Sequence, residues 1–187
     1  MATSLTGTGV TYNSGLVQTR NRAVVKHRIA GATTTDQVIQ SGDWDYVTGA
    51  EINMGVPKQS TNWYRIEWYC DSDDWGGTNG GVGYALYRNT PSAGWVRILD
   101  SGWHANYDNN DGDFYTSTRT TYYAPVHQTY PGEVHTFRIY ARRHPDCAWR
   151  INCSIGADLR AAGWQNNLME CWELDSDQAQ TTNLTRY

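Results

Sequence analysis

Phenylalanine is nearly missing from this chain: 2 Phe stand against 13 Tyr and 9 Trp in 187 residues. A dry core uses Phe as readily as its polar-tipped relatives. The imbalance therefore points to half-wet sheet faces and interfaces, where a large apolar body with a polar handle fits. Many of these rings are also plain strand residues of high β-propensity. Charge is scarce, 18% of residues, with a net −4. The longest cationic stretches, Arg142-Arg143-His144 and Lys26-His27-Arg28, are too short for a phosphate-tracking stripe, which argues against nucleic acid as a partner. No segment approaches the ~20 apolar residues of a spanning helix. Met1 to Val10 carry neither a cationic start nor a signal-length apolar run, so the expectation is a chain folded in a cytoplasm without membrane insertion.

Local motifs for chemistry are also lacking. Cys70, Cys147, Cys153 and Cys171 form no Cys-x-x-Cys and no zinc pattern. An even count admits two disulfides, but if 147–155 is one strand, Cys147 and Cys153 stand about 20 Å apart and cannot join. The expectation is four small buried thiols in a reducing compartment. His27, His104, His127, His135 and His144 pair with no ligand at metal spacing, and His135 reads as a hydrogen-bonded core residue. Asp108 to Asp113 is the best local calcium candidate, yet it misses the EF-hand register, with Tyr107 in the first ligand position and Thr118 where Glu belongs. There is no phosphate loop, dinucleotide fingerprint or Gly-x-Ser-x-Gly. Glycoside hydrolysis needs two carboxylates in one cleft, about 5–10 Å apart. Glu51, Glu67, Glu133, Glu170 and Glu173 are available, but nothing local pairs them. No catalytic residue, metal or cofactor is expected.

What is present is alternation. Tyr64, Ile66, Trp68 and Cys70 fall on one face of their segment, with Arg65 and Glu67 on the other. His135, Phe137, Ile139 and Ala141 share a face, as do Trp149, Ile151, Cys153 and Ile155. These are half-buried strands. Further strands are predicted over 23–30, 44–53, 82–88, 94–100, 114–127 and 167–174. Turn-rich clusters separate them, including Asp71 to Gly81 and Asp108 to Asp113. Only 157–163 reads as a helical turn. Tryptophans preceded by Gly or Asp, at 44, 75, 95, 103 and 164, show no period, which argues against a propeller or solenoid. The fold class expected is all-β, an antiparallel β-sandwich or jelly roll over residues 23–174. A polar N-terminal arm, 1–22, and a polar tail, 175–187, flank it; neither can bury a core of its own.

Trp75, Trp95, Trp103 and Trp164 lie in or beside predicted loops. Such rings stack on sugars, anchor interfaces, or plug the ends of a sandwich, and the sequence leaves the three readings open.

Two stretches resemble proteins of tailed phages, particularly marine ones. Gly7-Thr8-Gly9-Val10-Thr11-Tyr12-Asn13-Ser14-Gly15-Leu16-Val17-Gln18-Thr19-Arg20 is similar to a short element of tail-fibre and virion proteins, with Ser14 and Leu16 departing from its commonest form. From about 33 to 174, the order of Thr33-Thr34-Thr35, Trp44-Asp45-Tyr46-Val47, Tyr64-Arg65-Ile66, the Tyr-Ala-Leu-Tyr-Arg-Asn segment 84–89, the Phe-Arg-Ile-Tyr-Ala-Arg segment 137–142 and the Leu-Met-Glu-Cys-Trp-Glu-Leu segment 168–174 is similar to the jelly-roll heads of phage fibres. Those heads are related in architecture to tumour-necrosis-factor-like trimers. The resemblance implies a non-enzymatic homotrimer on the virion surface, assembled in the host cytoplasm. It implies an arm that docks on other virion proteins through Val10, Tyr12, Val17 and Gln18, and a host receptor such as a cell-surface glycan. No fibre shaft repeats appear, so a knob or capsid-decoration protein is a variant of the same reading. A stand-alone lectin-like module is the alternative, and a small glycan-cleaving enzyme a third.

Overall fold

The computed structural model describes the backbone of residues 4–6, 9–12, 15–17, 24–30, 37–39, 42–74, 80–106, 114–143, 149–151 and 167–175. Among the described residues thirteen strands follow one another: β1 (Ser4–Thr6), β2 (Gly9–Tyr12), β3 (Gly15–Val17), β4 (Val24–Ala30), β5 (Gln37–Ile39), β6 (Asp45–Gly55), β7 (Trp63–Asp74), β8 (Gly80–Thr90), β9 (Gly94–Asn106), β10 (Phe114–Pro125), β11 (His135–Arg143), β12 (Trp149–Ile151) and β13 (Asn167–Leu174). Among the described residues there is no helix.

Two antiparallel sheets make the body. The first runs β4-β13-β7-β10, and short β12 and β5 continue it past the end of β13. The second runs β6-β11-β8-β9. Among the eight long strands every connection but the β8–β9 hairpin passes from one sheet to the other, which is the winding of a jelly roll. The expected fold class holds. The arm's strands β1, β2 and β3 pair as a small meander, Leu5 opposite Val10 and Val10 opposite Val17.

Alternation builds the interior. Tyr64, Ile66, Trp68 and Cys70 of β7 are fully buried, as are His135, Phe137, Ile139 and Ala141 of β11 and Val82, Tyr84 and Leu86 of β8. Rings lock across the two sheets: Tyr64 meets Phe137 edge-on at 4.9 Å, and Trp68 meets Tyr84 at 6.3 Å. The purely apolar members, such as Ile66, Leu86, Phe137 and Ile139, each contribute about 1.5–3 kcal/mol by leaving water. In β6 the strict period breaks. Val47 and Ala50 are both buried although three residues apart, because a bulge sets Tyr46 to Glu51 against Arg138 to Tyr140. Gly49, at φ 82°, supplies the left-handed residue this bulge needs.

Two local expectations change. Asp71 to Asp74 is no loop but the end of β7, paired to β10 on one edge and, over 72–74, to β12 on the other; pairing on both edges overrides the turn propensity of Asp and Ser. Gly80 and Gly81 likewise already belong to β8. Of the 147–155 strand, the described part is Trp149–Ile151. Cys147, Cys153, the 157–163 segment and the tail from 176 lie outside the described residues. Cys70 and Cys171 are buried thiols not joined in a disulfide, and burial pushes the Cys171 thiol well above its ordinary value. His135 is the core residue expected. Its Nδ1–H donates to the Glu133 carbonyl at 2.9 Å, and its Nε2 accepts the His127 N–H at 3.2 Å. Burial pushes its pKa down to about 4, so the ring is neutral at pH 7.

One end of the sandwich is closed by a buried carboxylate. Glu173 of β13 is fully buried. Its Oε1 accepts the Lys58 N–H at 2.6 Å and the Asn62 amide at 2.7 Å. Its Oε2 lies 3.7 Å from the Lys26 ammonium, which donates to the Met54 and Val56 carbonyls at 2.6 and 2.9 Å. One acidic side chain thereby ties β4, β13, the end of β6 and the loop entering β7. Removing one member of such a cluster strands the others without partners. We expect Glu173→Ala to lower unfolding stability by about 3 kcal/mol, read as a lower urea midpoint at unchanged slope.

Candidate functional site

A sandwich leaves the outer face of each sheet for function, and both outer faces here are unusual. On the β6-β11-β8-β9 sheet, β11 turns Arg138, Tyr140 and Arg142 outward. Tyr140 stands opposite Tyr46 on one side and Ala85 on the other. Its ring lies 5.9 Å from Tyr46 and 4.1 Å from Tyr87. The Arg138 guanidinium sits 4.5 Å from the Tyr46 centroid and 4.1 Å from Trp95, and it pairs with Glu51. Arg142 and Arg97 lie 4.5 and 5.4 Å from Trp44, and Arg97 also pairs with Asp100. Gly83 and Ala85 of β8 face the same way and are buried. Five rings and three arginines thus form one interlocked lattice.

The β8–β9 turn positions Trp95. Gly94 adopts φ 67°, and Glu133 receives the Ser92 N–H and hydroxyl. Trp95 then enters β9 half-buried with Arg138 over its ring.

On the opposite sheet the register aligns three rows of outward residues. His27, Trp172, Arg65 and Tyr123 form the first. His27 stacks on Trp172 at 4.7 Å, nearly parallel, and the Arg65 guanidinium lies 4.9 Å from the same ring. Ile29, Glu170, Glu67 and Thr121 form the second row, and Leu168, Tyr69 and Arg119 the third. Glu67 pairs with Arg65 and, at 2.6 Å, with Arg119. Glu170 pairs with His27 at 3.1 Å. A groove of about 190 Å³ runs between the second and third rows, lined by Glu67, Trp68, Tyr69, Arg119, Leu168 and Glu170.

The carboxylates singled out in the sequence are therefore dispersed, except one pair. Glu67 and Glu170 are direct cross-strand neighbours, a proximity that only the long-range register reveals. Burial by itself pushes Glu67 up, but the hydrogen bond from Arg119 and the charge and hydrogen bond of Arg65 outweigh it and hold the carboxyl below its ordinary value. Glu133 is lowered by its bonds from Ser92. Among the described residues no group of three or more His, Cys, Asp and Glu could hold a metal ion.

Of the residues expected to anchor the arm, Val10 and Tyr12 lie in β2 and Val17 in β3, while Gln18 is outside the described residues. So are Trp75, Trp164 and the Asp108–Asp113 loop. The backbone at Trp103 is part of β9, opposite Gly83. The lattice residues Trp44, Tyr46, Tyr87, Arg97, Arg138, Tyr140 and Arg142 carry no functional motif in the sequence. Alternation along β11 does set Arg138, Tyr140 and Arg142 on one face, and that is the available signal.

No protein-family model matches the chain, and no curated protein matches it. Among solved structures, it is similar to a chain in the structure of the infectious bursal disease virus Gx strain, at 9% identity and a TM-score of 0.39, over 81% of this chain. The match spans 37% of that chain's length. A superposition of that quality assigns no function to this chain.

The electrostatics of Glu67 give a direct test. Its lowered pKa means a contribution to stability that is present above the ordinary glutamate value and lost as pH falls through the lowered one. In Arg119→Ala the burial effect remains while its principal opponent is gone. The Glu67 carboxyl is then expected to titrate at higher pH than in the parent, measured by carbon-detected NMR of the side-chain carboxyl.

Proposed function

We propose that this chain is a non-enzymatic virion structural protein, a trimeric fibre tip, knob or capsid decoration displayed on the virion surface. The observation that carries the reading is the arginine–aromatic lattice on the outer face of β6-β11-β8-β9. Tyr, Trp and Arg are the side chains that dominate the buried centres of protein interfaces. Here they are already stacked and ion-paired before any partner arrives, so little ordering is left to oppose association. The resemblance of residues 7–20 and 33–174 to phage fibre proteins supports the same reading, with Val10, Tyr12, Val17 and Gln18 as the arm's contacts to other virion proteins.

A glycosidase needs one carboxyl kept protonated near neutrality. Glu67 and Glu133 are instead held below their ordinary range, which supports the non-enzymatic reading.

Tyr140 stands at the centre of the lattice, on the face of β11 turned away from the core. Tyr140→Ala is expected to keep the native circular dichroism while weakening each subunit contact by about 2 kcal/mol, roughly thirtyfold. Sedimentation velocity at low micromolar concentration should then show a trimer of 21.1 kDa subunits for the parent and monomers for the variant. A monomeric parent, or a variant that stays trimeric, would overturn the reading.

A further inference from the structure

The groove on the other sheet has a chemistry of its own. Its two walls come from adjacent rows of the same register. One wall is Leu168 and Tyr69, cross-strand neighbours that offer apolar surface. The other is Glu170 and Glu67, also cross-strand neighbours, which offer acceptor oxygens. Arg119, opposite Tyr69 on β10, closes the end and is 69% exposed, so its guanidinium reaches solvent and donates. A pyranose ring has the same division, an apolar C–H face and an edge of hydroxyls.

The charges decide between ligand classes. Glu67 and Glu170 bring two negative charges, and Arg65 and Arg119 bring two positive ones. A balanced site gives no net pull on a free cation or on a free anion such as phosphate or sulfate. What remains attractive is a neutral, hydroxyl-rich ligand. Each carboxylate oxygen has two acceptor positions. Glu67 commits one oxygen to Arg65 and the other to Arg119, which leaves acceptor capacity for hydroxyl hydrogens. The lowered pKa keeps that carboxylate ionised as an acceptor, and bonds to a charged acceptor are the strong ones.

We propose that the groove between β10, β7 and β13 binds one neutral sugar residue, its apolar face on Tyr69 and Leu168 and its hydroxyl edge on Glu67, Glu170 and Arg119. The site lies on the sheet opposite the proposed subunit contact, so it goes beyond the assembly reading and stands or falls apart from it. A groove of this size, open to solvent, implies a dissociation constant on the order of millimolar for a single ring.

Saturation-transfer NMR on the full chain tests this, with the methyl glycosides of glucose, galactose, mannose and N-acetylglucosamine at millimolar concentration. At least one glycoside should show transfer. Glu170→Gln and Arg119→Ala should each reduce its affinity about tenfold, the effect of removing a hydrogen bond to a charged group. Tyr140→Ala, on the other sheet, should leave it unchanged, whether the sample is trimer or monomer. Absence of transfer from all four glycosides would overturn the proposal, and so would transfer that survives both groove variants. Binding of inorganic phosphate or of methylguanidinium at this groove in place of a glycoside would also overturn it, because the charge argument excludes both.

Discussion

A two-sheet sandwich can hide only one face of each sheet, and that constraint organises everything else in this molecule. Because side chains alternate along a strand, every core residue forces its neighbours outward. Burying Phe137, Ile139 and Ala141 obliges Arg138, Tyr140 and Arg142 to face away from the core. Burying Ile66 and Trp68 does the same to Arg65, Glu67 and Tyr69. The outward sets are not generic solvent-facing polar residues. One is a lattice of rings capped by arginines, and the other is a ladder of paired charges beside an apolar row.

The two faces solve the problem of half-wet aromatics differently. On β6-β11-β8-β9 the arginines lie on the rings, so each ring covers its neighbours and the whole presents a pre-ordered, weakly hydrated surface. On β4-β13-β7-β10 the outward-facing Trp172 is sandwiched between His27 and Arg65, and the charges balance in pairs. The first suits a broad protein contact. The second leaves a narrow groove with a polar and an apolar wall. The scarcity of Phe fits this division only in part: Tyr46, Tyr87 and Tyr140 are partly wet lattice members, whereas Tyr64, Tyr84, Tyr122, Trp68 and Trp149 are buried in the core where Phe would also serve.

Much of the fold was legible because it is written in local alternation. The inward sets of β7 and β11 are the residues expected, and β13 spans 167–174 as expected. What was not legible depended on partners distant in sequence. Asp71 to Asp74 reads as a loop until β10 and β12 pair with it. The bulge at Gly49, which brings both Val47 and Ala50 inside, breaks the period that made the other strands readable. Glu67 and Glu170 are 103 residues apart in sequence, and only strand register makes them neighbours. Trp95 illustrates the same limit. Its place near a turn leaves sugar stacking, interface anchoring and end-plugging open, and only the fold brings a guanidinium from β11 over its ring. The buried cluster around Glu173, assembled from β4, the 56–62 loop and β13, has no local signature at all.

In the proposed assembly the arginine–aromatic lattice is covered by other copies of the chain. Hydroxyl-radical footprinting read by mass spectrometry tests it residue by residue, in solution and without substitutions. Tyr87, Trp95 and Tyr140 should react more slowly at high protein concentration than at high dilution, while Tyr123, 41% exposed on the opposite sheet, should react at the same rate throughout. Equal reactivity of the lattice rings at both concentrations would contradict the account, and protection centred on Tyr123 would place the subunit contact on the wrong sheet.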